Sequence, residues 1–199
     1  MFSLMTFMQT DAELIAQSLA SPERFGLVFD RHFRAIHQFA ARRLGVAQAD
    51  DIAAETFARA FKARRKFVPQ EGSARPWLYG IATNVMRMHS RGEVRRLKAY
   101  ARTGIDPVED FAGAATDRAS ADKSRRALLA ALAELSRRDR EIVLLAAWAE
   151  LNSVEIGAAL GMSDATVRTR LARARKKLSR TEAISPAPTG GDLAIEEQR

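Results

Sequence analysis

Apolar residues recur at spacings of three and four along most of the chain, and no segment sustains the strict alternation of a half-buried strand. The pattern therefore predicts an all-α fold. A first long helix runs from about Pro22 to Leu44, with proline suited to a helix start and Gly45 to a stop. A second opens near Asp50 and ends near Arg65. The stretch FVPQEGSARP follows as a loop, broken by Pro69, Gly72 and Pro76. A long basic helix runs from about Trp77 to Arg102. Residues 103–121, small, acidic and interrupted by glycine and proline, read as a flexible linker. Helical periodicity resumes near Asp122 and continues to Ser179, with breaks at Ser136–Arg137 and near Asn152. The tail from Thr181 has too little apolar surface to fold. The organisation is two small helical domains, 22–102 and 122–180, joined by the 103–121 linker and flanked by an extension at 1–21 and a mobile tail at 181–199. With about 60 residues, the second domain is expected to be marginally stable alone.

The most informative segment is SVEIGAALGMSDATVRTRLARARKKL, residues 153–178. It reads as a short helix, a tight turn and a second helix loaded with arginine. On the second helix Val167, Leu171, Ala174 and Leu178 fall within about 60° of one another, a narrow apolar stripe. Thr169, Ala172, Arg173 and Lys176 lie opposite, flanked by Arg168, Arg170, Arg175 and Lys177. Ile156, Leu160, Met162 and Val167 stand where the two helices pack together, and Gly157 supplies a small residue for their crossing. Gly161 suits a left-handed turn, and Ser163 or Asp164 a helix cap. One face can pack on a core while the other meets a polyanion, as a recognition helix in a DNA major groove requires. A merely solvated basic helix would not need this turn chemistry.

Charge strengthens the reading. The chain carries a formal net charge of +8, which favours a polyanionic partner. Residues 162–180 hold seven Lys or Arg against one Asp, and residues 74–102 hold seven against one Glu. Residues 104–122 between them hold five acidic residues against one Arg. Two basic blocks with an acidic spacer point to two contacts with nucleic acid. The chain has no cysteine, which excludes disulfides and thiolate metal sites. The first ten residues lack a basic start and a sustained apolar run, and no apolar run approaches 18 residues, so no signal peptide and no membrane span are expected and the chain reads as cytosolic. His32, His37 and His89 lack metal-ligand spacing, and no phosphate-binding glycine loop or nucleophile elbow occurs. No metal, cofactor or catalytic site is expected.

These residues resemble a known family. ATVRTRLARARKKL, preceded by LAELSRRDREIVLLAAWAELNSVEIGAALGMS, is similar to region 4 of bacterial RNA polymerase sigma factors of the sigma-70 family, in their compact extracytoplasmic-function (ECF) form. DDIAAETFARAFKARRKF resembles the family's region 2.2, and GSARPWLYGIATNVMRMHSRGEVRRL its regions 2.3 and 2.4. The resemblance spans about Phe25 to Ser179. It implies a dissociable initiation subunit with core RNA polymerase and promoter DNA as partners and an anti-sigma protein as a further one. Contacts to the −35 element then fall on Arg168, Thr169, Ala172 and Arg173, with Arg170, Arg175 and Lys177 gripping phosphates. Asp51, Glu55 and Arg59 share the charged face of a helix whose other side carries Ala53, Phe57, Ala60 and Phe61; that helix would dock on the largest polymerase subunit. Contacts to the melted −10 strand fall on Gly72, Ser73, Arg75, Asn84, Arg87 and Arg91, with the loop Val68–Arg75 capturing an extruded base. This loop is a residue longer than the commoner pattern, which leaves its preferred base open. Trp77, Leu78, Ile81, Val85 and Met88 form the apolar stripe behind it, with Trp77 as core rather than stacking platform. Tyr79, Thr83, Arg87, Ser90 and Arg91 project the other way. The helix RREIVLLAAWA is mostly core, and the acidic linker would thread the polymerase's RNA-exit path.

Two other classes share a helix-turn-helix. A stand-alone repressor or activator would need a dimer helix and would not need the second block at WLYGIATN. A recombinase would need a catalytic serine, tyrosine or carboxylate cluster near the N-terminus, and none is present.

Overall fold

The computed structural model describes residues 9–69, 72–89, 93–103 and 118–182. Among these residues the fold is helical throughout. Helix α1 spans Asp11–Gln17, α2 Phe25–Leu44, α3 Val46–Ala63, α4 Arg75–His89 and α5 Glu93–Thr103. Then come α6 Arg118–Ala133, α7 Arg137–Trp148, α8 Ser153–Leu160 and α9 Asp164–Glu182. Single 3-10 turns at Pro22–Arg24 and Arg64–Lys66 link α1 to α2 and extend α3.

Helix α1 lies in what the sequence pattern leaves as an unassigned extension. Thr10 caps it reciprocally: the Glu13 amide donates to Thr10 Oγ1 at 3.2 Å, and the Thr10 amide donates to Glu13 Oε2 at 2.7 Å. Its apolar residues Leu14 and Ile15 are buried with Ile36 and Phe39 of α2, Ile52 and Phe57 of α3, and Leu78 and Met86 of α4. Helices α6 to α9 bury Leu132, Ile142, Leu145, Ile156, Val167 and Ala174. The helix resuming after the linker begins at Arg118 rather than Asp122, and the basic helix expected over 77–102 is described as two, α4 and α5. Residues 104–117 of the linker, Ser90, Arg91 and the tail beyond 182 lie outside the described residues.

The two halves pack directly on each other. Helix α8 crosses α4 at Gly80, where an added Cβ would stand 2.6 Å from the Ala159 carbonyl oxygen. Helix α5 packs along α6. Glu93, at the start of α5, accepts from Arg43 of α2 (Nε 3.0 Å, Nη2 2.9 Å) and from Arg140 of α7 (3.4 Å), with all three side chains buried. Arg140 also donates to the carbonyls of Leu132 and Leu135, both at 2.9 Å, so one guanidinium closes the end of α6 and reaches the first half. Nearby, Arg87 of α4 makes a two-pronged pair with Glu141 of α7, Nε to Oε1 at 2.8 Å and Nη2 to Oε2 at 2.6 Å. Glu141 is 1% exposed, a burial tolerable for a carboxylate only with such partners.

This packing corrects the orientation expected for α4. Tyr79 and Thr83 do not project into solvent: both are buried. The reason is that α4 is covered twice, by α2 and α3 on one side and by α8 on the other. Tyr79 meets Phe39 edge-on at 5.1 Å. Met88, expected in the apolar stripe, is 58% exposed.

Gly80→Ala tests the contact between the halves. Alanine improves helix propensity by up to about 1 kcal/mol. Its methyl group meets a backbone carbonyl that no side-chain rotation can clear, and overpacking of this kind costs about 1–3 kcal/mol. The variant should show a larger radius of gyration by small-angle X-ray scattering and a lower melting temperature. Unchanged values in both would show that the crossing is looser than described.

Candidate nucleic-acid and polymerase interfaces

The helix-turn-helix is built by local chemistry. Asn152 caps α8, its Oδ1 accepting from the amides of Val154 and Glu155 at 3.0 Å each. Gly161 ends α8 in the left-handed conformation (φ 65°, ψ 45°), which glycine adopts without a Cβ penalty. Ser163 then caps α9, accepting from the Thr166 amide at 3.3 Å. Gly157 is small because of the turn rather than a helix crossing: an added Cβ would stand 2.6 Å from the Met162 carbonyl.

Helix α9 presents the face its sequence predicts. Val167 and Ala174 are buried, and Leu171 and Leu178 half-buried. Arg168, Thr169, Ala172, Arg173, Arg175, Lys176 and Lys177 are exposed. Not all of these cations point into open solvent. Arg168 pairs with Asp164, Arg170 with Asp139 of α7 at 2.9 Å, and Lys177 donates to the Glu134 carbonyl at 2.8 Å. Burial acts to raise the pKa of Asp139, but the Ser136 hydroxyl and Arg170 outweigh it and hold the group below its ordinary range. Asp139, Thr166, Thr169, Arg170 and Arg173 line one shallow depression. No spacing pattern links Asp139 to Arg170, which lies 31 residues away.

The α3 face also forms as its periodicity implies. Ala53, Phe57 and Ala60 are buried, Phe61 packs on the core, and Asp51, Glu55 and Arg59 occupy the opposite side. Asp51 is exposed. Glu55 joins Arg59 at 2.6 Å and His89 of α4 at 3.2 Å. The His89 hydrogen bond leads the effects that lower the Glu55 pKa.

The residues expected at the melted strand are less uniform. Gly72 and Ser73 are half-buried at the start of α4. Arg75 donates to the Ala149 carbonyl of the second half at 2.6 Å. Arg87 is held by Glu141 and also donates to Asn84 Oδ1 at 2.8 Å. Arg91 lies outside the described residues. Phe67 and Trp77, with ring centroids 4.9 Å apart, wall a small pocket with Val68, Ser73 and Pro76, and Ala158 of α8 closes one side. Trp77 is thus both core neighbour and pocket wall.

The N-terminal segment also holds this loop. Asp11 of α1 is 5% exposed, and its carboxylate accepts from the Ala74 amide (2.8 Å), Arg31 (2.6 Å) and His32 (2.8 Å). The Ala12 amide donates to the Gly72 carbonyl at 3.2 Å. The other two histidines also face carboxylates, His37 at Asp50 and His89 at Glu55. Among the described residues no group of three or more His, Cys, Asp or Glu could hold a metal ion, and no helix is long and apolar enough to cross a membrane.

Comparison with known proteins settles the family. Residues 28–102 match the family model "Sigma-70 region 2", and residues 125–178 match "Sigma-70, region 4". The chain belongs to the sigma-70 family of RNA polymerase sigma factors. It is 33% identical over 174 residues to the RNA polymerase sigma factor NccH of Alcaligenes xylosoxydans xylosoxydans, covering 84% of this chain and 92% of that protein. It is 31% identical over 181 residues to the ECF RNA polymerase sigma factor SigC of Mycobacterium tuberculosis, covering 87% and 94%. Among solved structures it resembles CnrH in complex with the cytosolic domain of CnrY, at 27% identity and TM-score 0.61, covering 88% of this chain and 99% of that one. The sigma factor RpoE of Bartonella quintana, solved with the anti-sigma factor NepR, shares the fold at TM-score 0.55. The paired region 2 and region 4 matches set aside a stand-alone regulator and a recombinase. The sigma factor directs promoter-specific initiation, and its two regions are the two halves described above.

The Asp11 cluster gives this sigma factor an acid-sensitive contact. Burial acts to raise the Asp11 pKa, but the hydrogen bonds from His32, the Ala74 amide and Arg31 outweigh it and push the carboxyl from 3.8 down to about 2. A depressed folded-state pKa means stability present above 3.8 and lost as pH falls toward 2. Urea midpoints should decline through that window, and Asp11→Asn should flatten the decline; an identical pH profile in the variant would remove this carboxylate as the cause.

Proposed function

We propose that this sigma factor binds core RNA polymerase through α3 and reads duplex −35 DNA with α9. The loop Val68–Arg75 and helix α4 then receive the melted −10 strand. The observation that carries the reading is α9: a buried Val167–Ala174 stripe under an exposed face of Arg168, Thr169, Ala172 and Arg173. A small Ala172 between long cations lets the helix backbone approach the groove, and Arg173 is placed to pair with a guanine edge. Arg170, Arg175 and Lys177 serve the phosphates, with Asp139 orienting Arg170. Asp51, Glu55 and Arg59 form the polymerase contact.

The chain is not a catalyst in itself and acts in the cytoplasm as a dissociable subunit. Core RNA polymerase performs the chemistry, while the sigma factor supplies position and strand capture. The complex of CnrH with the cytosolic domain of CnrY supports an anti-sigma protein as a further partner. Arg75 and Arg87 can reach DNA only when the second half moves away, since each donates to an acceptor there.

Two substitutions separate the two roles. Arg173→Ala should lower run-off transcription from a cognate promoter by about tenfold, within the roughly 1–3 kcal/mol of a bidentate base contact, while leaving affinity for core polymerase intact. Unchanged initiation would remove Arg173 from the −35 contact. Glu55→Ala should instead weaken capture of core polymerase in a pull-down, and equal capture would reject that assignment.

A further inference from the structure

The Asp11 cluster lies in the N-terminal segment, ahead of the region 2 match that begins at residue 28. Its partners nevertheless converge on one short stretch of region 2, residues 72–74. The Asp11 carboxylate takes the Ala74 amide, and the Ala12 amide gives its hydrogen to the Gly72 carbonyl. Thr10 packs against Gly72, with two side-chain atoms 3.5 Å from where a Cβ would stand. Gly72 itself has φ +77°, so this turn has a conformation that most side chains would resist. Ala74 is fully buried, and the next residue opens α4.

The segment carrying this clasp is anchored independently of the loop. Arg31 bridges Asp11 Oδ1 and the Gln9 carbonyl, His32 donates to Asp11 Oδ2, and Leu14 and Ile15 are sunk in the region 2 core. Arg31 and His32 both sit on α2, the longest helix of this half. The loop end is therefore tied, through Asp11, to α2 and the buried core of region 2. Ser73 of the same turn lines the pocket together with Phe67, Val68, Pro76, Trp77 and Ala158 of α8.

We infer that Asp11 is a specificity-positioning residue: it fixes the residue 72–74 turn so that the pocket beside it holds one extruded base in preference to others. This deepens the −10 assignment above and rests on that loop being the strand-capture element. The physical ground is geometric. A pocket discriminates bases by placing polar atoms within a few tenths of an ångström, and a turn with slack in its backbone loses that discrimination before it loses general affinity. A charged acceptor on the Ala74 amide, itself locked by Arg31 and His32, removes the slack. Asp11 touches no DNA; it acts through the turn.

The test uses holoenzyme reconstituted with core polymerase and the full-length chain. Templates carry a pre-opened −10 bubble with each of the four bases at the captured position. Asp11→Ala and the isosteric Asp11→Asn are compared with wild type, and Asp11→Glu serves as the conservative rescue. Losing a hydrogen bond to a charged acceptor is worth about tenfold. The ratio of initiation on the best base to the worst should therefore fall by about that factor in Asp11→Ala. It should recover in part in Asp11→Glu. Dependence on the −35 sequence and affinity for core polymerase should remain at wild-type values. Hydrogen exchange at the Ala74 and Ala12 amides should quicken while the α3 and α4 cores stay protected. If Asp11→Ala fails to fold, Asp11→Asn, which retains the shape and one acceptor oxygen, gives the same comparison. A uniform loss of initiation on all four bases, with the ratio unchanged, would overturn the proposal and leave Asp11 a plain stabilising residue. A wild-type protein that initiates well but shows no base preference on any bubble would overturn the loop assignment itself, and this proposal with it.

Discussion

Two buried carboxylates decide how the halves of this molecule meet. Glu93 and Glu141 are each almost wholly excluded from water, and such groups are tolerable only where cations reach them. Among the described residues, Glu141 meets Arg138 of its own half at 3.7 Å, while its close partner, Arg87, comes from the other half. Glu93 is shared between Arg43 of one half and Arg140 of the other. An apolar contact alone would tolerate sliding, since hydrophobic burial has no direction. Two charge clusters, together with the glycine-sized gap at Gly80, accept one register.

The exposed working surfaces divide unequally in this arrangement. The outer face of α9 stays in solvent, as does Asp51 of α3. The cationic groups of α4 do not: their donors are taken up by acceptors from α7 and the segment after it. The donors of Arg75 and Arg87 are thus occupied by a protein carbonyl and a carboxylate whose hydrogen-bonding chemistry matches that of phosphate oxygens. The same holds in miniature on α9, where Arg170 is held by Asp139.

Local patterns disclosed the helices, and non-local ones explain what was missed. The α9 stripe, the Gly161 stop and the Phe57 face of α3 all repeat within a few residues, so spacing alone revealed them. The signal for α1 was present too, since Thr10 and Glu13 form a capping-box pair, but seven helical residues are too short to show periodicity. Tyr79 and Thr83 fall opposite the apolar stripe on a helical wheel, which assumes one buried face, and α4 has two. The partners of Asp11 lie 20, 21 and 63 residues away, and those of Glu93 are 47 and 50 away. Nothing in linear spacing links such residues, and a buried aspartate reads like any other helix-start acid until its surroundings are seen.

The junction of α3 and α4 has a mechanical implication. Glu55 holds both Arg59 of its own helix and His89 at the far end of α4, and the same Arg59 guanidinium lies 3.6 Å from the Met88 sulfur. A newcomer that takes Glu55 away from His89 removes a side-chain tie on the final turn of α4. By thermodynamic reciprocity, displacing that turn must alter affinity for the newcomer by the same factor. Four side chains, Glu55, Arg59, Met88 and His89, thus join the outer face of α3 to the end of α4 by direct contact.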